Sequence, residues 1–587
     1  MLVNKRIGKL LKITLVILGV LGVYALIESV RSGNDYSNLS VSQYRDYLKN
    51  HIDTLSSSAD SDGHNKEEKV KDERLLKFYS SVFQSIIDHS PTGKCRRVYK
   101  DSCKLSSDVG NRPDDYKNWF KLSFAELIDC LELDSGEIEN LSKSHASFIE
   151  QLNKLVLPKD SYKNDGIVTV GGGKFSLMAF LVIRTLRNLG TTLPVEVFIP
   201  PNDEGETEFC NKLLPKYNAK CVYISDILPQ EMINNFEFKG YQFKSIAIIA
   251  SSFENLLLLD ADNFPIKPLD DIFEAEPYKS TGLVMWPDFW RRTTQPLYYQ
   301  IAGRTIDFKT RIRNSIDDLT PPHVYTKNLQ DLKDVPFHDF LGTIPDVSTE
   351  SGQLLINKSK HLATVLLALY YNVNGPTWYY PIFSQKAAGE GDKETFIAAA
   401  NFYDLPFYQV KTNVGVDGYH QPNDKGYRGV AMLQHDFIQD YGKYVKARTD
   451  ISNKYAKAGL AYDPEYSVES FYKEYFEDGQ KQTEVDVMFI HSNLPKFDPY
   501  TLWTDEDLIV DGKHIRSFTN LRRLKNYDIE LENFKVFKEV LCGVSKVPLF
   551  KYLEDKMNAN DFKSMCQYID NRLDFLEESH ASAISSD

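Results

Sequence analysis

Two aspartates with one residue between them, Asp260 and Asp262, close the apolar run Leu256-Leu-Leu-Leu259. In extended chain residues i and i+2 share a face, so both carboxylates can approach one hard cation, directly or through its water. This is an Asp-x-Asp arrangement for a metal bound to a diphosphate. An isolated Asp-x-Asp is more often a solvated turn. Far downstream, His491 ends a second apolar run, Val487-Met-Phe-Ile490, and Lys496 follows five residues on. A neutral imidazole is a good manganese ligand and a lysine can hold a leaving phosphate, although a lone histidine is more often structural. Lys244, in Tyr241-Gln-Phe-Lys244, precedes the aspartates and can offset diphosphate charge or simply face solvent.

Gly171-Gly172-Gly173-Lys174 offers backbone amides and a helix start to a phosphate or ribose, or makes a tight structural turn. Neither glycine fingerprint is met: the phosphate-loop spacing is absent, and Ser176 stands where the dinucleotide motif needs its third glycine. Trp286-Pro-Asp288-Phe-Trp290-Arg291-Arg292 mixes aromatic platforms with charge, as sugar sites do, with core packing an equal competitor. Trp286 and Trp290 are candidates for an acceptor face. Glu350-Ser-Gly-Gln353 opens a strand. In Gly389-Glu390-Gly-Asp392-Lys393-Glu394, Asp392, and after it Glu390, can position a sugar or stabilise positive charge at an anomeric carbon; Asp392 also fits a helix N-cap.

These residues need a sheet with ordered edges. From Gly166 strands alternate with helices: strand 167–170, helix 176–189, strand 195–199, helix 207–217, strand 221–224, helix 241–252 and strand 256–259. Repeated βαβ units predict an α/β fold: an open Rossmann-type sheet with helices on both faces, binding its ligand beyond the strand C-termini. Later strands are expected at 282–286, 353–356 and 484–490, helices at 360–371 and 393–401, and a helical tail after Asp528. Apolar spacing predicts a helical region over 73–160 ahead of the main body, 161–587.

Net charge is −13 with no basic stripe, which argues against nucleic acid as a partner. Lys5, Arg6, Lys9 and Lys12 precede uncharged Ile13–Ile27, predicting a cytosolic tail (1–12), a signal anchor (13–30) and a polar stem (31–72) in a single-pass protein with a lumenal body. Seven cysteines suit an oxidising compartment. Sequence proximity pairs Cys95 with Cys103, Cys210 with Cys221 and Cys542 with Cys566, leaving Cys130 over. Asn38, Asn140 and Asn357 head glycosylation sequons.

In order along the chain, Gly166-Ile-Val-Thr-Val-Gly-Gly-Gly-Lys174, Lys239-Gly-Tyr-Gln-Phe-Lys244, Glu254-Asn-Leu-Leu-Leu-Leu-Asp-Ala-Asp262, Ser280 to Arg292, Thr349-Glu-Ser-Gly-Gln353 and Gly389 to Phe396 closely resemble the fungal α-1,2-mannosyltransferases that branch the outer chain of N-linked mannan. The resemblance implies a Golgi type II membrane protein of the GT-A fold. It implies GDP-mannose as donor, a mannan or N-glycan acceptor, and Mn²⁺ held by Asp260, Asp262 and His491. Donor contacts then fall to Gly171, Gly172, Gly173, Lys174, Lys244 and Lys496, and substrate contacts to Trp286, Asp288, Trp290, Arg291, Glu350 and Gln353. A complex with other mannosyltransferases fits the same picture. The His491 and Lys496 spacing is also similar to the late element of glycogenin-like retaining transferases, with Asn493-Leu-Pro495 in place of its glycine-containing middle. An α-1,3- or UDP-sugar transferase, a lumenal mannan-binding scaffold and an NAD-dependent reductase are the alternatives; the broken glycine fingerprint counts against the last.

Overall fold

Period-two alternation builds the central layer. Val168, Leu256 and Leu258 pack into one apolar core, while Ile167, Leu257 and Leu259 pack into another on the opposite face. Each such side chain, wholly withdrawn from water, is worth about 1.5–3 kcal/mol. The computed structural model describes residues 64–103, 105, 122–421, 426–456, 461–476, 485–543 and 550–585. The expected tail, anchor and Asn38 fall outside that set. Among the described residues no helix is long and apolar enough to cross a membrane.

The elements that frame the site are, in chain order, α1 (His64–His89), α2 (Ser135–Leu152), β1 (Asp165–Val170), α3 (Lys174–Asn188), β2 (Val195–Ile199), β3 (Ala219–Tyr223), α4 (Gln242–Ala250), β4 (Asn255–Leu259), β5 (Asn263–Pro265), β6 (Leu283–Pro287), β7 (Thr349–Asn357), α5 (Lys358–Val373), α6 (Thr395–Phe402), β8 (Tyr408–Gln409), β9 (Gly415–His420), β10 (Tyr427–His435), β11 (Val487–Ser492), α7 (Ile529–Leu541) and α8 (Ala559–Ser585). The main sheet runs β8-β6-β7-β4-β1-β2-β3. Strands β1 to β4 are parallel neighbours, and β7 lies antiparallel between β4 and β6. The α/β expectation therefore holds as a mixed sheet. Helices α1, α2, α4, α5 and α6 cover one face, and α3, α7 and α8 the other.

The helical region shares a core with the sheet. Tyr79, Val82 and Phe83 of α1 join the cluster that holds Ile246 and Ile249 of α4. A second sheet, β9-β10-β11-β5, is antiparallel throughout; its β9–β10 hairpin was not among the expected strands. The helix expected over 207–217 is instead a π-helical turn, Phe209–Leu213, followed by a 3₁₀ turn, Leu214–Tyr217. Pro215 lacks the amide that a continuous α-helix would use there.

Two disulfides fall as expected, Cys210–Cys221 and Cys542–Cys566, but the third joins Cys103 to Cys130. The expected Cys95–Cys103 pair is not formed. An antiparallel bridge between Tyr99 and Leu131 and a bond from the Lys100 amide to the Cys130 carbonyl (3.1 Å) bring Cys103 to Cys130. Cys95 is a buried free thiol, tied by its amide to the Thr377 carbonyl at 2.8 Å. Of the sequon asparagines, Asn140 exchanges hydrogen bonds with Thr92. Asn357 caps α5 through the Lys360 amide (2.8 Å) and donates to Asn255 (2.7 Å), so its side chain is committed to the fold rather than presented as an acceptor.

Candidate active site

The register of the two sheets places the chemistry. In the main sheet Thr169 pairs with Leu259, so the glycine turn after β1 and the aspartates after β4 leave the same edge side by side. In the second sheet β11 pairs with β5, setting His491 opposite Asn263, and the Ser492 amide donates to the Asp262 carbonyl at 2.9 Å. The imidazole is thereby delivered to the aspartates. Its Nε2 lies 3.2 Å from Asp262 Oδ1 and 4.0 Å from Asp260 Oδ2. One ligand atom from each of Asp260, Asp262 and His491 falls within 4.8 Å of the others. Two carboxylates and an imidazole suit a divalent cation that takes mainly oxygen ligands and accepts one nitrogen, such as Mn²⁺. The side chains behind them suit it too: His491 Nδ1 lies 3.0 Å from Glu350 Oε1, the carboxylate–histidine relay that orients a metal ligand.

Glu350 is held in turn. It accepts hydrogen bonds from the Gly352 amide and from Gln353 Nε2 (2.6 Å). Gln353 also accepts from Asn263, whose amide reaches the Gly352 carbonyl at 2.9 Å. Glu350 and Gln353 were expected to touch substrate; both are buried beneath the cluster, Glu350 against His491 and Gln353 against Glu350. Gly352 is required by space. A Cβ there would stand 2.4 Å from Glu350 Oε1 and 2.6 Å from His491 Nδ1.

Two lysines balance the acids. Lys244, on α4, lies 2.9 Å from Asp260 and 3.5 Å from Asp392, and its Nζ donates to the Ser351 carbonyl and hydroxyl, each at 3.0 Å. Ser351 was not foreseen, because only the pairing of β7 with β4 brings it there. Lys496 pairs with the other aspartate, Asp262. Burial opposes every charge here; it prevails at Asp260, whose carboxyl is pushed above the ordinary carboxylate range, and the partners prevail at Lys244, Asp262, Glu350 and His491. Asp260, Asp392 and Glu350 keep Lys244 protonated beyond the ordinary lysine range. His491 and Lys496 hold the Asp262 carboxyl below the ordinary carboxylate range, and Glu350 with Asp262 raises His491 well above an ordinary imidazole.

Other expected residues are placed elsewhere. Trp286 is 0% exposed, stacks edge-on with Phe437 and Phe489, and donates from Nε1 to the His435 carbonyl at 2.8 Å. It is a core residue, not an acceptor face. Arg291 is buried against Asp346 and Ser315, Asp288 pairs with Lys393 at 2.7 Å, and half-buried Trp290 accepts at its carbonyl from the Ser348 amide. The cluster knits loops together. Of the two acids in the glycine-rich loop, Asp392 is buried and faces Lys244, whereas Glu390 turns outward to a two-pronged pairing with Arg97 (2.7 and 3.1 Å).

The glycine turn after β1 spends its amides internally. Gly171 donates to the Phe198 carbonyl (2.8 Å) and Gly172 to Ser176 Oγ (2.9 Å). Gly172 has φ +93°, and a Cβ would meet Asp203 at 2.7 Å. The turn therefore reads as structural, with Gly173 and Lys174 half-buried at the start of α3.

Residues 164–436 match the family described as "Mannosyltransferase putative". Alpha-1,2-mannosyltransferase MNN2 of Saccharomyces cerevisiae is 58% identical over 603 residues, covering 100% of both chains. Alpha-1,2-mannosyltransferase MNN5 of the same species is 39% identical, covering 86% of this chain and 90% of its own, and alpha-1,2-mannosyltransferase MNN21 of Candida albicans is 37% identical over 79% and 70%. Among solved structures, the galactosyltransferase LgtC aligns at 13% identity with TM-score 0.23, covering 42% of this chain and 73% of that one. GlyE of Streptococcus pneumoniae aligns at 11% identity with TM-score 0.24, covering 42% and 45%. On full-length identity to these relatives, the chain belongs to the α-1,2-mannosyltransferase family.

Proposed function

We propose that this protein is a retaining α-1,2-mannosyltransferase that moves mannose from GDP-mannose to α-linked mannose, adding branches to N-linked mannan in the Golgi. The observation that carries the reading is the convergence of Asp260, Asp262 and His491 within 4.8 Å, flanked by Lys244 and Lys496, in a chain 58% identical to a named α-1,2-mannosyltransferase. Bound at the three ligands, Mn²⁺ would supply Lewis-acid stabilisation to a departing diphosphate. Lys244 and Lys496 place positive charge where negative charge develops on that leaving group. Glu350 keeps the His491 ring in one orientation. Asp392 stabilises positive charge at the anomeric carbon. An α-linked donor giving an α-linked product implies retention, and a front-face exchange delivers it without a protein base: the leaving phosphate accepts the acceptor hydroxyl's proton as the bond from the anomeric carbon to the diphosphate breaks.

Three disulfides among the described residues support an oxidising, lumenal setting, and the basic leader before Ile13–Ile27 supports a type II anchor. The test is GDP release and product linkage with GDP-mannose, Mn²⁺ and α-linked mannose oligosaccharides. Wild-type enzyme forms an α-1,2 bond, and Asp262→Ala loses transfer while keeping its fold. An α-1,3 product, UDP-sugar use, oligosaccharide binding without GDP release, or wild-type turnover by Asp262→Ala at saturating Mn²⁺ overturns the assignment.

A further inference from the structure

Tyr241 is half-exposed, at 50%, where large aromatic side chains are usually covered, and it stands directly before α4. Its ring lies across Gly391: a Cβ on that glycine would approach Tyr241 Cε2 at 3.2 Å and Cζ at 3.5 Å. Tyr380 braces the ring edge-on, with centroids 6.1 Å apart, and is itself fixed by a hydrogen bond from its hydroxyl to Asn372 at 3.0 Å. The ring is thus supported while half of its surface stays open. Next in sequence to Gly391 is Asp392, 3% exposed, whose Oδ2 has no hydrogen-bond partner and faces Lys244 Nζ at 3.5 Å. Lys244 lies three residues beyond Tyr241, one helical turn, and reaches inward to Asp260 at 2.9 Å. Inward from the ring are therefore Lys244 and the acids it pairs with, and outward is solvent.

We infer that Tyr241 is the stacking platform for the acceptor mannose, resting on the transferase reading above. A pyranose presents one face of C–H bonds and an equator of hydroxyls. An aromatic ring that is braced edge-on by Tyr380 and half-exposed offers a surface to the C–H face and leaves the hydroxyls to solvent and the polar rim. Lys244, three residues on, joins Asp392 to Asp260 on the inner side of the ring, so a sugar stacked on Tyr241 would border the acid cluster from its solvent side. Gly391 lets the ring lie close over the loop, since a Cβ there would already stand 3.2 Å from Cε2.

The test uses the full-length protein and its Tyr241→Ala and Tyr241→Phe variants. Three quantities are compared: KM for an α-linked mannose oligosaccharide, KM for GDP-mannose, and GDP release without acceptor. Calorimetric binding of the oligosaccharide in the absence of donor is a fourth. Tyr241→Ala raises acceptor KM and weakens oligosaccharide binding by about ten-fold, while donor KM and acceptor-free GDP release stay within about two-fold. Tyr241→Phe, which keeps the ring, behaves as wild type. An unchanged acceptor KM, a donor KM that rises in step, or a Tyr241→Phe as impaired as Tyr241→Ala overturns the proposal. Calorimetry separates the two claims: if wild-type protein fails to use GDP-mannose, the donor assignment falls, yet loss of oligosaccharide binding in Tyr241→Ala still upholds the platform and its retention still refutes it.

Discussion

Gly352→Ala is the sharpest perturbation the site allows, because it adds one methyl group and removes no functional side chain. That methyl would sit 2.4 Å from Glu350 Oε1 and 2.6 Å from His491 Nδ1, so these two atoms must retreat by about an ångström to reach ordinary contact near 3.4 Å. They are the two ends of the 3.0 Å contact that aims the imidazole. β7 cannot yield instead, since the Gly352 carbonyl accepts from the Asp260 amide at 2.8 Å and from Asn263 at 2.9 Å. Loss of a partner that orients a ligand costs roughly 10–100-fold in metal affinity, and an ångström of misplacement costs turnover on the order of 100-fold. Overpacking alone is worth about 1–3 kcal/mol, so the variant still folds. The assay is GDP release titrated with Mn²⁺, beside a thermal melt. The half-saturating Mn²⁺ concentration should rise at least ten-fold with a small fall in Tm. Wild-type Mn²⁺ dependence and turnover in a folded Gly352→Ala would refute the claim that Glu350 sets the His491 orientation.

Away from the cluster, burial pushes the Glu206 carboxyl up to about 7 from its ordinary 4.5. The folded state then holds a proton that the unfolded state releases, so stability present below about pH 4.5 is lost as pH rises through 7, on the order of 3 kcal/mol. Glu206→Gln should flatten that slope and melt higher than wild type at pH 8; parallel melting curves from pH 5 to 8 would count against it. Arg97→Ala unties Glu390 and the loop carrying Asp392, through a pair that is partly exposed on both sides. Stability should change by less than about 1 kcal/mol while turnover falls by roughly three- to ten-fold; unchanged turnover would show that the tether does not position Asp392. Non-reducing peptide mapping should find Cys103 joined to Cys130, with Cys95 alkylated only after unfolding. Closing 27 residues, that bond is worth about 3–4 kcal/mol, which the Cys103→Ser, Cys130→Ser double variant should lose.

What the sequence made legible was local. Leu256 to Leu259 is a run buried on both faces, and such a run must stop where its carboxylates reach water, so Asp260 and Asp262 could be placed at an edge before any coordinates. The βαβ rhythm likewise implied the parallel half of the sheet. Asp392 and, after it, Glu390 flank one glycine as candidates for the site, and nothing near them in sequence shows where either side chain goes. The separation comes from Arg97, which draws one carboxylate to the helical region while Lys244 engages the other. Trp286 failed for the same reason: its indole finds the His435 carbonyl on β10, a strand outside the expected set, and an aromatic residue with that partner belongs in the core.

Glu350 and Gln353 show a subtler limit. Their chemistry, a carboxylate and an amide at the start of a strand, suits sugar hydroxyls as well as it suits an imidazole, so residue type could not choose. Two registers chose. Pairing of β7 with β4 puts Gln353 opposite Leu259, and pairing of β11 with β5 puts His491 opposite Asn263. A slip of one residue in either ladder would turn these side chains to the opposite face and break the relay from Gln353 through Glu350 to His491. The acids at the end of the leucine run supply two metal-ligand candidates from one short segment; the third candidate and its support come from strands far apart in the chain. Periodicity can therefore predict the aspartate half of this centre, but only the long-range pairing of strands completes it.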